Sequence, residues 1–200
     1  MSQKIVFATN NRHKIEEVQL LLKDCYKIIS PEELGFRGDI PETSSTLEGN
    51  ALQKARFVYY QLFHLPCFAD DTGLEVEALG GAPGVYSARY AGDDKNSDSN
   101  IVKLLDELSD KDNRKARFRC VIAYIDGNGA EYLYEGIVNG TILREKCGEK
   151  GFGYDPVFCP DGYDITFAQM TLADKNLISH RGLAIRKFTE ALGANFRAAR

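Results

Sequence analysis

Residues 69–92 read ADDTGLEVEALGGAPGVYSARYAG, in which two adjacent carboxylates leave an apolar run and lead into a segment rich in glycine. The run Leu65 to Ala69 predicts a strand that delivers Asp70 and Asp71 to its carboxyl end, with Thr72 and Gly73 turning the chain. Successive strand side chains point to opposite faces, so the two aspartates should not share one cleft. The pair is expected to divide into a structural carboxylate and a functional one. Asp71, nearer the loop, is the functional candidate.

Upstream, Lys4 to Thr9 is a short apolar run broken by Asn10 and Asn11, after which Ile15, Val18 and Leu22 recur at helical spacing. Tyr26 to Ser30 predicts a second strand, and from Thr46 the positions Leu47, Ala51, Ala55, Val58 and Leu62 trace one face of a long helix. Strands alternating with helices favour an α/β sheet that binds ligands at its carboxyl edge. Downstream, DDKNSDSN at 93–100 offers N-caps for a helix marked by Ile101, Leu104, Leu105 and Leu108. Ala116 to Ile125 alternates as a strand, DGNG at 126–129 turns it, and Glu131 to Val138 returns as an antiparallel hairpin, making the sheet mixed. A last helix is expected from about Arg181 to Leu192 on Leu183, Ile185, Phe188 and Leu192.

A chain of 200 residues with 44% hydrophobic composition suits a single domain over residues 1–200. A net charge of −4 and a pI near 5.5 argue against nucleic acid as the main partner. No segment approaches ~18 consecutive apolar residues, and the amino terminus lacks a signal-peptide pattern, so a soluble cytoplasmic protein with no membrane partner is expected. Cys25, Cys67, Cys120, Cys147 and Cys159 contain no CxxC pair and read as reduced, small buried side chains with no zinc site.

Three groups of residues can carry chemistry. The stretch Thr9, Asn10, Asn11, Arg12, His13, Lys14 puts cations at the positive end of a helix dipole, a conflict that a bound phosphate would remove. Among Glu42, Glu48, Asp70 and Asp71, oxygen ligands for Mg2+ can assemble, because that ion takes one or two carboxylates beside water and substrate phosphates. For Glu48 the plainer role is an acidic residue in the first turn of a helix. Near the carboxyl end, GFGYDP (151–156), Lys175 and SHRG (179–182) offer a base pocket: Phe152 and Tyr154 as faces for a planar ring, Lys175, His180 and Arg181 as donors to its carbonyls. A core aromatic and a solvated helix start are the competing readings. A phosphate loop of the GxxxxGK[ST] type, a GxSxG elbow and an HExxH helix are all missing, and the adjacent aspartates lack the i, i+2 step that puts both carboxylates of a DxD phosphatase on one face.

The motifs ATNNRHK, TLEGNALQKA, ADDTGLEVEALGGAPGVYSARYAG, GFGYDP and SHRG occur in the order seen in the Ham1-like nucleoside triphosphate pyrophosphatases, which the chain resembles over nearly its whole length. That resemblance implies an elongated mixed sheet flanked by helices, two lobes with an active-site cleft between them, and a homodimer. It implies hydrolysis of ITP, dITP and XTP to the monophosphate and pyrophosphate with Mg2+, cleaning the nucleotide pool. By matching position, Thr9 to Lys14 would hold the triphosphate, Asp71 would be proton acceptor and metal ligand, and Glu42 a second ligand. Thr72 would touch the substrate, Phe152, Gly153, Tyr154 and Asp155 would frame the base, and Lys175, His180 and Arg181 would read it. Asn10 stands where many relatives have glycine, His13 where some have glycine or lysine, and Thr72 keeps the hydroxyl of a serine. A Maf-like pyrophosphatase and a nucleotide-sensing regulator are the alternatives, separated by a substrate panel and by pyrophosphate release.

Overall fold

The computed structural model describes residues 3–22 and 26–198. The chain divides into two compact units: Met1–Asp71 with Cys120–Gly136 and Arg181–Arg200, and Thr72–Arg119 with Ile137–His180. Among the described residues the strands run in the order β2-β1-β3-β5-β6-β7, with β4 beside β3. These are β1 (Gln3–Phe7), β2 (Tyr26–Ile29), β3 (Cys67–Val76), β4 (Pro83–Gly84), β5 (Lys115–Ile125), β6 (Glu131–Ile142) and β7 (Phe158–Pro160). β1 is parallel to β2 and β3, whereas β4 and β7 run antiparallel to β3 and β6. The mixed α/β class expected from the alternation is what the chain adopts.

In the first unit, α1 (Arg12–Leu22), α2 (Leu47–Arg56) and α5 (His180–Ala198) supply the helices. Its core joins Phe7 and Phe68, stacked at 4.4 Å, with Val18, Leu22, Ile122, Ile185 and Phe188. These are the positions that the helical and strand periodicities marked. Thr46 caps α2 by accepting from the Gly49 amide, and past Arg56 the helix widens to π spacing over Phe57–Phe63 before His64, at φ 51°, ends it. In the second unit, α3 (Ser97–Glu107), capped by Asn96, and α4 (Leu172–Ile178) accompany a core of Leu74, Val76, Ile101, Leu104, Phe118, Phe158 and Phe167.

Two expectations are corrected. The strand holding the aspartates does not end at Ala69 but runs ten residues to Val76, so Asp70 and Asp71 lie mid-strand and Thr72–Gly73 is extended rather than a turn. The LEVE alternation at 74–77 is the reason, since Leu74 and Val76 bury in the second core while β4 pairs with Leu74 and Glu75. β6 likewise continues to Ile142, where β7 pairs with it, rather than stopping at Val138. Cys67, Cys120, Cys147 and Cys159 are free thiols, but only Cys67 and Cys120 are buried as expected, Cys147 and Cys159 being partly exposed, and burial pushes the Cys67 thiol up to about 12. Cys25 lies outside the described residues.

Candidate active site

The adjacent aspartates take separate partners, as the strand pleat requires. Asp71 accepts from Asn50 Nδ2 at 3.1 Å and lies 3.5 Å from Lys54 Nζ, which also holds Glu42 at 2.5 Å. Asn50 and Lys54 are one turn apart on α2, so the helix presents both to β3. Asp70 pairs instead with Lys14 Nζ at 2.8 Å and Arg181 Nε at 3.0 Å, and Arg181 also donates to Glu17.

The electrostatics separate the two carboxyls. Burial raises the Asp71 pKa, Lys54 and Lys14 pull it back, and Glu42 adds to the rise, leaving it above the ordinary carboxylate range. Burial would also raise Asp70, but Lys14, Arg181 and Lys54 outweigh it and hold that carboxyl well below the range. Lys54 is raised because Asp71, Glu42 and Asp70 overcome its desolvation. Asp71 is thus the more basic of the pair and Asp70 a fixed anion.

The start of α1 is built by its own polar side chains. Thr9 Oγ1 accepts from the Asn11 amide, Asn11 Oδ1 accepts from the Lys14 amide, and Asn10 donates to the Gly38 carbonyl. Arg12 and His13 are exposed, while Lys14 turns inward to Asp70. Part of the charge conflict at this helix start is therefore met by an anion of the protein itself.

In the second unit, Gly151 sits at φ 76° where a Cβ would run into the Asp155 carboxylate, so the close turn needs glycine. Asp155 Oδ2 accepts from the Phe152 amide at 2.8 Å and from Lys175 Nζ at 2.7 Å. The Lys175 ammonium lies 5.0 Å from the Phe152 ring centroid and 5.7 Å from that of Phe167. His180 stacks on Phe118 at 4.6 Å. The Tyr154 hydroxyl donates to the Ser87 carbonyl, and Ser87 Oγ donates to the Gly84 carbonyl, joining the GFGYDP and GGAPG segments. Gly153 has φ 61°, and Thr72 is half-buried in β3.

Within the first unit the structure therefore gathers Lys14, Glu42, Asp70, Asp71 and Arg181, and within the second Phe152, Tyr154, Asp155, Lys175 and His180. Lys175, His180 and Arg181 are 3%, 3% and 1% exposed, so neither His180 nor Arg181 is the solvated cation that the plainer reading gave for the helix start. Glu48 takes the first-turn position of α2. Asn50, Lys54 and Glu17 escaped the sequence reading. Two of them left a signal, because Asn50 and Lys54 interrupt the apolar face of α2 at i, i+4 spacing. Glu17 left none.

Hard oxygen donors at Glu42 and Asp71 suit a divalent cation such as Mg2+. With Lys54 between them the cluster keeps one net negative charge when both carboxylates are ionised. Among the described residues no group of three or more His, Cys, Asp or Glu gathers at one point.

The profile of the Ham1 family matches residues 5–191. The chain belongs to the Ham1 family. It is 53% identical over 191 residues to a dITP/XTP pyrophosphatase of Porphyromonas gingivalis, covering 95% of this chain and 97% of that protein. A dITP/XTP pyrophosphatase of Flavobacterium psychrophilum is 52% identical, over 92% of this chain and 95% of that one. Among solved structures, the Ham1 protein of Staphylococcus aureus superposes with a TM-score of 0.87 at 41% identity, over 96% of this chain and all of that one. Ham1 membership thus accounts for the motif order and for the mixed sheet. Among the described residues no helix is long and apolar enough to cross a membrane.

Proposed function

We propose that this Ham1-family chain hydrolyses dITP, XTP and ITP to the monophosphate and pyrophosphate, working in the cytoplasm as a homodimer whose two units act as one domain. The observation that carries the reading is near-full-length identity of about half to proteins named dITP/XTP pyrophosphatase. The basic, lysine-flanked Asp71 supports it.

In the proposed reaction Asp71 takes a proton from water, the water oxygen bonds to the α-phosphorus, and the bond to the bridging oxygen breaks to release pyrophosphate. Lys54 holds Asp71 and Glu42 in place, and Lys14 with the amides and side chains of Thr9 to His13 receives the phosphates. Glu42 and Asp71 would hold Mg2+, which would supply positive charge against that of the phosphate oxygens. Thr72, next to Asp71, contacts the substrate.

The base falls to Phe152, Gly153, Tyr154 and Asp155, with Lys175, His180 and Arg181 as donors. A 6-oxo group accepts from such donors, whereas the 6-amino group of adenine does not. A buried donor left unmet costs ~1–3 kcal/mol, which disfavours ATP roughly tenfold to hundredfold per contact.

The test is pyrophosphate release from ITP, dITP, XTP, GTP and ATP with Mg2+, beside an EDTA control. Release from the first three and little from ATP and GTP is expected. Release of orthophosphate instead, or inactivity on all five, would sink the reading. A light-scattering mass of a single chain would remove the homodimer from it.

A further inference from the structure

Asp70 has no task in the reaction above, yet both its oxygens are committed. Oδ1 accepts from Lys14 Nζ at 2.8 Å, Oδ2 accepts from Arg181 Nε at 3.0 Å, and Cys120 Sγ lies 3.9 Å from Oδ2. Arg181 donates through Nη1 to Glu17, which follows Lys14 by one turn of α1. Lys14, Asp70, Arg181 and Glu17 therefore close a ring that joins α1, β3 and the first turn of α5. Two cations meet two carboxylates, so the ring is neutral and each charge depends on its neighbours.

Exposure is uneven around the ring. The side chains of Asp70, Arg181 and Glu17 are 1%, 1% and 4% exposed, whereas that of Lys14 is 14% exposed. An incoming anion therefore meets the ring at Lys14. Phosphate oxygens that share the Lys14 ammonium weaken its bond to Asp70, and the buried carboxylate must then lean on Arg181, its other partner. A purely structural ring would need no corner that opens to solvent at a phosphate-binding residue.

Resting on the proposed function, we propose that Asp70 is a positioning residue that couples the triphosphate end of the substrate to its base end by fixing the Lys14 ammonium and the Arg181 guanidinium through one buried carboxylate. Phosphate affinity and base discrimination are then linked properties of one side chain. Lys14 acts on the first directly and Glu17 on the second directly, each reaching the other through Asp70.

The experiment measures inhibition by pyrophosphate and the ITP-to-ATP ratio of kcat/KM for the wild type, Lys14→Met, Asp70→Asn and Glu17→Gln. Asp70→Asn is expected to weaken inhibition and lower the ratio, each about tenfold, a usual size for coupling between sites. Lys14→Met should weaken inhibition most and Glu17→Gln should lower the ratio most, each with a smaller effect on the other readout that passes through Asp70. A merely structural Asp70 would give Asp70→Asn a lower kcat on every substrate with inhibition and ratio unchanged, which would overturn the proposal. If Asp70→Asn does not fold, Glu17→Gln decides, and an unchanged ratio overturns it. Should the wild type release no pyrophosphate from ITP, the functional reading fails on that control alone. Calorimetric titration with pyrophosphate and with inosine then puts the same question to the ring: Asp70→Asn must weaken both, and weakening one or neither overturns the coupling.

Discussion

One cluster in each unit handles charge in the opposite way to the other, beside the neutral ring of Lys14, Asp70, Arg181 and Glu17 in the first unit. In the first cluster, Glu42 and Asp71 share Lys54, so these three groups carry surplus negative charge, and burial with help from Glu42 makes the Asp71 carboxyl more basic. In the second, Asp155 and Lys175 form a balanced pair, 3–4% exposed, with the ammonium facing the Phe152 and Phe167 rings. A surplus of negative charge suits an added cation and proton transfer from water. A balanced pair under aromatic faces suits a neutral planar group that brings hydrogen-bond acceptors. Polar burial in this chain therefore takes a form fitted to what each unit is proposed to bind.

The largest effect expected from disturbing this contrast is at Asp71. Asp71→Asn removes the proton acceptor while its amide can still meet Asn50, so turnover should fall by about 10²–10⁴ with a thermal midpoint close to that of the wild type. Near-normal pyrophosphate release by the purified variant would rule out the assignment and leave the two buried clusters chemically alike.

Lys54→Met comes next. It leaves Asp71 and Glu42 facing each other without their shared cation, and removing one partner of a buried pair costs roughly 3–5 kcal/mol. Urea denaturation should show that loss, and added Mg2+ should restore part of it. A variant as stable as the wild type would mean that surplus charge is not what organises the first unit.

The smallest effect is in the second unit. Phe152→Leu removes a face for the base and the ring beneath Lys175, worth about 1–2 kcal/mol, or roughly tenfold in KM for ITP with kcat little changed. A fall in kcat with KM unchanged would instead place Phe152 with the reacting phosphate and break the division between the units.

Periodicity and turn chemistry made much of the fold legible. α1, α3 and the strands from Tyr26 and Lys115 fall where their apolar spacing put them, and the Asp126 side chain closes the DGNG turn by accepting from the Asn128 and Ala130 amides. The elements missed were β4, β7 and α4. Each is only two to seven residues long, too short to show a period, and β4 and β7 gain their definition from the strands they pair with. The motif residues were legible by type and position, but their partners were not. Nothing in the spacing of Glu17, Asp70 and Arg181 indicates that they meet.

The sequence alone determined the mixed α/β class, the motif order of the Ham1 family, and the assignment of Asp70 and Asp71 to opposite faces, because pleat and periodicity are local properties of the chain. Only the tertiary structure decided which cation each carboxylate received. Those cations come from helices tens to more than a hundred positions away, and the interaction that lifts Asp71 and depresses Asp70 depends on distance in space and on burial, neither of which is written in sequence separation.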